Sequence, residues 1–377
     1  MARIFRGFDL LRIIAASGVV FSHAFLLAEG SEAGEPFKEA TGTILGFYGV
    51  MVFFVLSGFL ITDSALRAPT IRHFVIRRAR RILPLFIGST LFITLVICPF
   101  YTVGSAGSAR EFLFSSETWI SVFKTLTFQE RSLWFGDAIS FYPSVGDNMR
   151  YVTPIANGVI WTIRLEVTCY VLTGLLMAMR LLRPRVVLVL FVAAAWFVFA
   201  YNLEVTDYLR GLAYLAPSFI TGMLMRTFLY DSEVRGDVAF LSFAVLVVLA
   251  LRSLEWNANA AVVFPMLIAL PLLWVGQLDG PFLRQLSGLG DPSYGIYLWG
   301  WPIQQVLRSL VGPNMDGYVF AALSLLVVVP IGYLSWHMLE KRFVIRRHPR
   351  KVVRGDAGGE TPDVLPVQRV GTGVSPR

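Results

Sequence analysis

The sequence predicts an all-α, polytopic membrane protein, a helical bundle of about ten transmembrane helices. Of its 377 residues, 55% are hydrophobic and only 15% are charged, and the mean hydropathy is +0.64. Soluble domains carry about 25% charged residues, so this chain has too few to cover a soluble globule. The hydrophobic residues are also grouped in blocks, mostly of about 17 to 23 residues, which is long enough to cross a hydrocarbon core about 30 Å thick.

Ten membrane spans are predicted, and they place both termini on one side of the bilayer. Of the 33 Lys and Arg residues, 23 lie on that side and six lie on the opposite side. The positive-inside rule therefore predicts cytoplasmic termini in a bacterial inner membrane. Topology also accounts for the net charge of +8, so no nucleic-acid partner is expected. The predicted spans are 10–28, 44–62, 82–103, 158–179, 186–202, 207–225, 238–251, 258–276, 293–311 and 318–338.

The segments outside these spans predict one membrane domain, 1–345, and a disordered cytoplasmic tail, 346–377, which has no hydrophobic periodicity. Both cysteines lie in hydrophobic blocks, where packing is their expected role. The absence of an internal repeat weighs against a secondary transporter. The long outer loop, 104–157, could be a lid over an acceptor or could pack at the interface. Its aromatic residues include Trp119, Trp134, Phe135, Tyr142 and Tyr151.

The first predicted span carries two ionisable residues on one helix face. Arg12 and His23 are eleven residues apart, so their directions differ by about 20° and their heights by about 16 Å. Asp9 is spaced to pair with Arg12. Ionisable groups inside spans are costly and suggest function. The alternatives are that Arg12 is a snorkelling anchor and that His23 makes an interhelical hydrogen bond.

The fourth predicted span contains a carboxylate at a depth similar to that of His23. The segment NGVIWTIRLE places Glu166 roughly 12 Å below the outer surface. A carboxylate could orient the imidazole and raise its basicity. Alternatively, Glu166 pairs with Arg164 or with another buried arginine for structural reasons.

A basic segment between the second and third spans is predicted to be a cytoplasmic loop. Arginine binds phosphate oxygens well, so this loop could hold a phosphorylated cytosolic donor. The same charges are also what topology alone would require. No glycine-rich phosphate-binding motif is present. The arginines are Arg67, Arg72, Arg77, Arg78, Arg80 and Arg81.

Taken together, these motifs resemble acyltransferase family 3, which includes the membrane O-acetyltransferases of O-antigens and exopolysaccharides. The resemblance extends over some 340 residues. Arg12 and His23 fit the family's pattern of Arg, ten residues and His. The other matching segments, in order, are GVMVFFVLSGFLIT, RRARRILP, NGVIWTIRLE, SYGIYLWGWP and EKRF.

The resemblance implies a cytosolic acyl-CoA donor, with acetyl-CoA expected, and a carbohydrate acceptor at the outer face, which could be lipid-linked. It implies that His23 is catalytic with Arg12 and Glu166, and no bound cofactor or metal is expected. The donor-binding residues are predicted to be Arg12, Arg77, Arg78 and Arg81. The supporting residues are predicted to be Asp9, Ser57, Trp161, Thr162, Tyr294 and Tyr297.

One position departs from the family pattern: Gly300 stands in YLWGWP where many members have a second His. His23 is thus the only histidine well inside the outer half. It could act as a general base or be acylated transiently, and the sequence supports both mechanisms. Two other functions stay open. The chain could be a proton-coupled carrier of a polar solute, or an acyltransferase acting on a small glycoside such as a macrolide.

Overall fold

The fold is built almost entirely from helices. The computed structural model describes residues 4–104, 107–142, 152–200, 206–252, 258–312 and 315–344. The predicted tail, 346–377, lies outside the described residues.

The helices and strands follow one another in a simple order along the chain. The helix that begins at Ile71 continues through a π turn, Ile93–Ile97, and a 3₁₀ turn, Cys98–Tyr101. The helix that begins at Gly317 continues through a π turn, Trp336–Glu340. The elements are α1 Gly7–Glu29, α2 Pro36–Thr41, α3 Leu45–Leu66, α4 Ile71–Phe92, α5 Ala109–Phe114, α6 Ser116–Leu126, β1 Leu133–Trp134, β2 Ile155–Asn157, α7 Ile160–Ala178, α8 Pro184–Ala200, α9 Asp207–Phe228, α10 Gly236–Leu251, α11 Ala258–Gln277, α12 Pro281–Leu289, α13 Ser293–Val311, α14 Gly317–Ser335 and α15 Lys341–Val344.

Each of the ten predicted spans falls on one of these helices. Within the described residues, six helices are long and apolar enough to cross a membrane, and α8 and α10 are shorter apolar helices. The other two, α9 and α13, carry more polar residues, including Arg210 and Gln304. The all-α polytopic membrane fold predicted from the sequence is therefore confirmed.

Glycines allow α3 and α9 to approach each other closely. A Cβ on Gly58 would lie 1.9 Å from the carbonyl oxygen of Phe219, and a Cβ on Gly222 would lie 1.9 Å from that of Val55. Small residues permit this backbone contact between membrane helices, where packing replaces the hydrophobic effect as the main attraction. On its other side α3 packs against α1, which also contacts α13 and α14. This arrangement places α1, with Arg12 and His23, inside the bundle.

The basic segment is helical, so the prediction of a loop up to residue 81 is wrong. The helix α4 begins at Ile71, where the side chain of Thr70 accepts a hydrogen bond from the backbone N–H of His73 at 3.3 Å. Arginine favours helix, and a helix can extend beyond the hydrophobic core without hydrophobic residues. Pro84 lies inside this helix. The arginines consequently point in different directions around one helix axis.

The outer segment after α4 is folded rather than an extended loop. It contains α5, α6 and a two-stranded antiparallel ribbon of β1 and β2. Its aromatic residues divide into two groups: Trp119 and Trp134 are exposed, whereas Phe135 and Tyr142 are buried. Tyr151 lies outside the described residues. The ribbon ends at Asn157, just before α7, and thereby fixes the outer end of that helix.

Candidate active site

Five helices, α1, α3, α4, α7 and α13, enclose a narrow cavity of about 60 Å³. Seven residues predicted for the site from the sequence line it, together with apolar residues such as Phe53 and Ile163. The lining residues are Arg12, Val50, Phe53, Phe54, Ser57, Arg81, Ile82, Thr162, Ile163, Glu166, Tyr170, Ser293, Tyr294 and Tyr297.

At one end of the cavity, a single carboxylate holds two arginines. Asp291 Oδ2 accepts from Arg12 Nη1 and from Arg81 Nη2, both at 2.6 Å. Its Oδ1 accepts from Ser293, from the backbone N–H at 3.1 Å and from the hydroxyl at 2.5 Å. Burial alone would raise the pKa of this carboxyl, but Arg12 and Arg81 outweigh it and lower the pKa to about 2. Asp291 is therefore a fixed anion between two fixed cations.

Arg81 makes further contacts that restrict its movement. Its Nη1 donates to Glu340 Oε2 at 3.1 Å, and Glu340 is buried. The guanidinium also lies 5.9 Å from the ring centre of Tyr294 and 5.4 Å from that of Trp336. A planar guanidinium is suited to such stacked and forked contacts. Arg81 is thus fixed by groups from α13 and from the end of α14.

Glu166 faces the middle of the cavity and is held by two hydroxyl groups. Its Oε1 accepts from Ser57 Oγ at 2.9 Å and from the Tyr170 hydroxyl. Arg164 instead donates to the carbonyl of Gln129 at 3.2 Å and lies over the Tyr208 ring. The alternative of a structural pair between Glu166 and Arg164 is therefore wrong. Glu166 has no arginine partner among the described residues.

Two hydroxyl groups of the cavity lining contact each other further along α13. The Tyr297 hydroxyl lies 2.5 Å from that of Thr162, which donates to the carbonyl of Val159 at 3.0 Å. Trp301 lies one helical turn further along α13 than Tyr297, about 6 Å by helix rise. The contact between Thr162 and Tyr297 therefore lies between Asp291 and Trp301 along the direction of α13.

His23 lies beyond this contact, against Trp301. The two rings meet edge to face, with centres 5.0 Å apart, and Trp301 is anchored by donating to the carbonyl of Ile155 at 2.9 Å. In the part of the chain that the structure describes, the imidazole makes no hydrogen bond, so the predicted pairing with Glu166 and the alternative of an interhelical bond are both wrong. The two side chains were predicted to share a depth, but Glu166 is bonded to Ser57 and Tyr170 instead. Among the described residues, no group is hydrogen-bonded to the imidazole nitrogens.

Comparison with known proteins identifies the family. A family model described as an acyltransferase domain matches residues 5–337. The chain belongs to acyltransferase family 3. It is therefore a membrane-embedded acyltransferase, as its motifs predicted. No solved structure matches it significantly.

Curated relatives agree with this family assignment. An O-acetyl transferase of Shigella phage Sf6 is 28% identical, covering 91% of this chain and 97% of the relative. The exopolysaccharide production protein ExoZ of Rhizobium meliloti is 32% identical, covering 83% and 94%. The putative peptidoglycan O-acetyltransferase YrhL of Bacillus subtilis is 26% identical over 90% of this chain but only 55% of its own length.

Some predicted site residues of this acyltransferase lie away from the cavity. Asp9 accepts from Ser287 at 2.7 Å and does not pair with Arg12 as predicted, because Arg12 reaches Asp291. Arg12 is therefore not a snorkelling anchor. Trp161 is half-buried outside the cavity lining.

The two remaining predicted donor-binding arginines also lie outside the cavity. Arg77 is exposed and donates to the carbonyls of His73 and Ser64. Arg78 lines a separate groove. The four arginines predicted to bind the donor are thus divided among three places on the molecule.

The sequence reasoning missed three residues of this acyltransferase site: Asp291, Glu340 and Tyr170. One signal was available for the two acids. Arg12 lies inside one predicted span and Arg81 at the start of another, so both need anionic partners, and Asp291 and Glu340 lie just outside predicted spans on the same side. Within the described residues, no cluster of His, Cys, Asp or Glu could hold a metal ion.

Replacing Glu166 with Gln is expected to lower turnover by about tenfold, less than the roughly 10²- to 10⁴-fold that a general acid or base contributes. Glutamine keeps the carbonyl oxygen that accepts from Ser57 and Tyr170 but removes the charge. Glu166→Ala should be worse, because both hydroxyl groups then lose their acceptor. Initial rates of the two variants test this, with the exposed Glu130→Gln as the control. If Glu166→Gln abolished turnover completely, Glu166 itself would be the base.

Proposed function

We propose that this acyltransferase transfers an acetyl group from cytosolic acetyl-CoA to a hydroxyl of a carbohydrate at the outer face of the bacterial inner membrane. In this proposal both termini are cytoplasmic and the acceptor is an exported or cell-surface polysaccharide, free or lipid-linked. The names of the relatives support O-acetylation and a polysaccharide acceptor. The excess of Lys and Arg on one side supports the orientation.

One observation carries this proposal: a single cavity is lined by two fixed arginines and by the contact between Thr162 and Tyr297. In this proposal the arginine end is cytoplasmic and His23 lies beyond that contact. Arg12 and Arg81 line the end that would face the donor phosphates. Apolar side chains, including Val50, Phe54 and Ile163, form walls suited to the pantetheine arm. The thioester would then approach Thr162 and Tyr297, beyond which His23 lies.

The reaction requires that the acceptor hydroxyl lose its proton as its oxygen attacks the thioester carbon. The new C–O ester bond forms, the C–S bond breaks, and the thiol of CoA leaves with a proton. An imidazole with free ring nitrogens can take the hydroxyl proton and return it to the sulfur. Transient acylation of His23 would divide the same transfer into two steps. In either mechanism the contact between Thr162 and Tyr297 must open to let the acyl group reach the imidazole.

Replacing Arg81 with Lys tests the donor site. Lysine keeps the positive charge but cannot reach Asp291 and Glu340 together or present a fork to a phosphate. We expect the KM for acetyl-CoA to rise about tenfold, the loss of roughly one charge-assisted hydrogen bond, with a smaller change in kcat. The matched control is Arg80→Lys, an exposed residue on the same helix. An unchanged KM for acetyl-CoA in a folded Arg81→Lys protein would show that the cavity does not bind the donor.

A further inference from the structure

A second cavity, of about 530 Å³, lies between α4 and α7 and adjoins the acyl-transfer site, with which it shares Ile82 and Tyr170. Its wall is almost entirely apolar, and Arg78 is its only charged residue. The lining residues are Ile71, Phe74, Val75, Arg78, Ala79, Ile82, Leu83, Phe128, Val167, Tyr170, Val171, Gly174, Leu175 and Ala178. We call it the α4–α7 groove.

The α4–α7 groove opens toward the lipid. Both helices are long and apolar enough to span the membrane, and residues on the rim are exposed, among them Val75 at 52%, Val171 at 58% and Leu175 at 52%. Along α4 the groove runs from residue 71 to residue 83, about 18 Å by helix rise. Its size and lining thus suit an acyl chain lying parallel to the helices.

Arg78 distinguishes the groove from an apolar surface that only contacts lipid tails. Its Nε is buried without a hydrogen-bond partner, and no ion pair to it is formed among the described residues. Arg81, one turn further along the same helix, is paired with Asp291 and Glu340. A half-buried guanidinium without an anion is costly. It therefore calls for an anionic ligand with oxygen acceptors, and phosphate matches its fork.

We propose that the α4–α7 groove binds an anionic phospholipid of the cytoplasmic leaflet, with its phosphate on Arg78 and an acyl chain along the apolar wall. The exposed Arg72 and Arg77 on the same helix would attract the negative headgroup. This proposal assigns Arg78 to a lipid instead of the donor site expected from the sequence. It relies on the cytoplasmic placement of the basic end of α4.

The experiment is lipid competition on the purified protein, read by native mass spectrometry. Protein in detergent is given equal amounts of phosphatidylglycerol and phosphatidylcholine with the same acyl chains. Wild type should retain phosphatidylglycerol about tenfold over phosphatidylcholine, because the choline cation of phosphatidylcholine offsets the charge of its phosphate and weakens its attraction to Arg78. Arg78→Gln should bring this ratio close to one. Arg80→Gln, which removes an exposed charge from the same helix, should keep it.

A second variant blocks the groove without changing any charge. A Cβ on Gly174 would lie 3.5 Å from the ring of Phe74, an ordinary contact, so the side chain of Gly174→Leu can project into the groove and should reduce retention of both lipids. The proposal is overturned if wild type shows no preference, if Arg80→Gln lowers the ratio as much as Arg78→Gln, or if Gly174→Leu retains lipid normally. Displacement of phosphatidylglycerol by palmitoyl-CoA but not by acetyl-CoA would also overturn it, by assigning the groove to a long-chain donor.

Discussion

Replacing His23 with Ala is expected to lower acyl transfer by about 10²- to 10⁴-fold, the usual contribution of a general base. In the described part of the chain the imidazole makes no hydrogen bond, so its loss breaks no polar contact. No second histidine can replace it, because Gly300 occupies the position where many family members have one. Arg12 lies about 16 Å away along α1 by helix rise, so binding of acetyl-CoA should persist.

The measurement is transfer of labelled acetyl by purified protein, with donor binding recorded in parallel. His337→Ala is the matched control, since His337 is exposed near the end of the last long helix. His23→Phe tests whether a ring packed on Trp301 is enough to hold the fold. A folded His23→Ala protein that turned over at close to the wild-type rate would rule out His23 as the reacting base.

Replacing Asp291 with Asn is expected to destabilise the protein by about 3 kcal/mol, the lower end for breaking a buried ion pair. Its side chain is 14% exposed and holds both Arg12 and Arg81 at 2.6 Å. Asparagine can still accept a hydrogen bond but carries no charge, so two nearby cations would share only Glu340. The unfolding midpoint in detergent should fall, and donor affinity should fall with it because both arginines lose their fixed positions.

The pH dependence of stability gives an independent check on Asp291. Its folded pKa of about 2 is below the ordinary value of 3.8, so its stabilising effect is complete above about pH 4 and is lost as the pH falls toward 2. This loss should be absent from Asp291→Asn. The control is Asp279→Asn, an exposed carboxylate paired with Arg6 and Arg284. Equal midpoints for Asp291→Asn and Asp279→Asn would show that Asp291 does not organise the site.

The sequence predicted the helices well because a bilayer imposes a simple rule: a span must be long, apolar and hydrogen-bonded within itself. Every predicted span contains a helix, and seven predicted site residues line one cavity. The start of α4 was wrongly predicted to be a loop because its many arginines were taken as evidence against a helix. A helix continues beyond the hydrocarbon wherever its start is capped, as Thr70 does here.

Side-chain partners were less predictable, because depth along a span says nothing about which neighbouring helix a side chain faces. His23 and Glu166 have similar depths, yet His23 packs on Trp301 and Glu166 bonds to Ser57 and Tyr170. Asp9 has the right spacing for Arg12, but the tertiary fold brings Asp291, 279 residues away in sequence, into that place. Such contacts depend on how α13 packs against α1, which no local pattern encodes.

The most direct test of acetyl transfer across the membrane uses inverted membrane vesicles, in which the cytoplasmic face is outward and the polysaccharide acceptor is enclosed. Labelled acetyl-CoA, which does not cross the bilayer, is added outside. Vesicles with wild-type protein should acetylate the enclosed polysaccharide, protected from external glycosidase until detergent is added, and vesicles with His23→Ala should not. Label that appears only on polysaccharide supplied outside, on the same face as the donor, would contradict the proposed path.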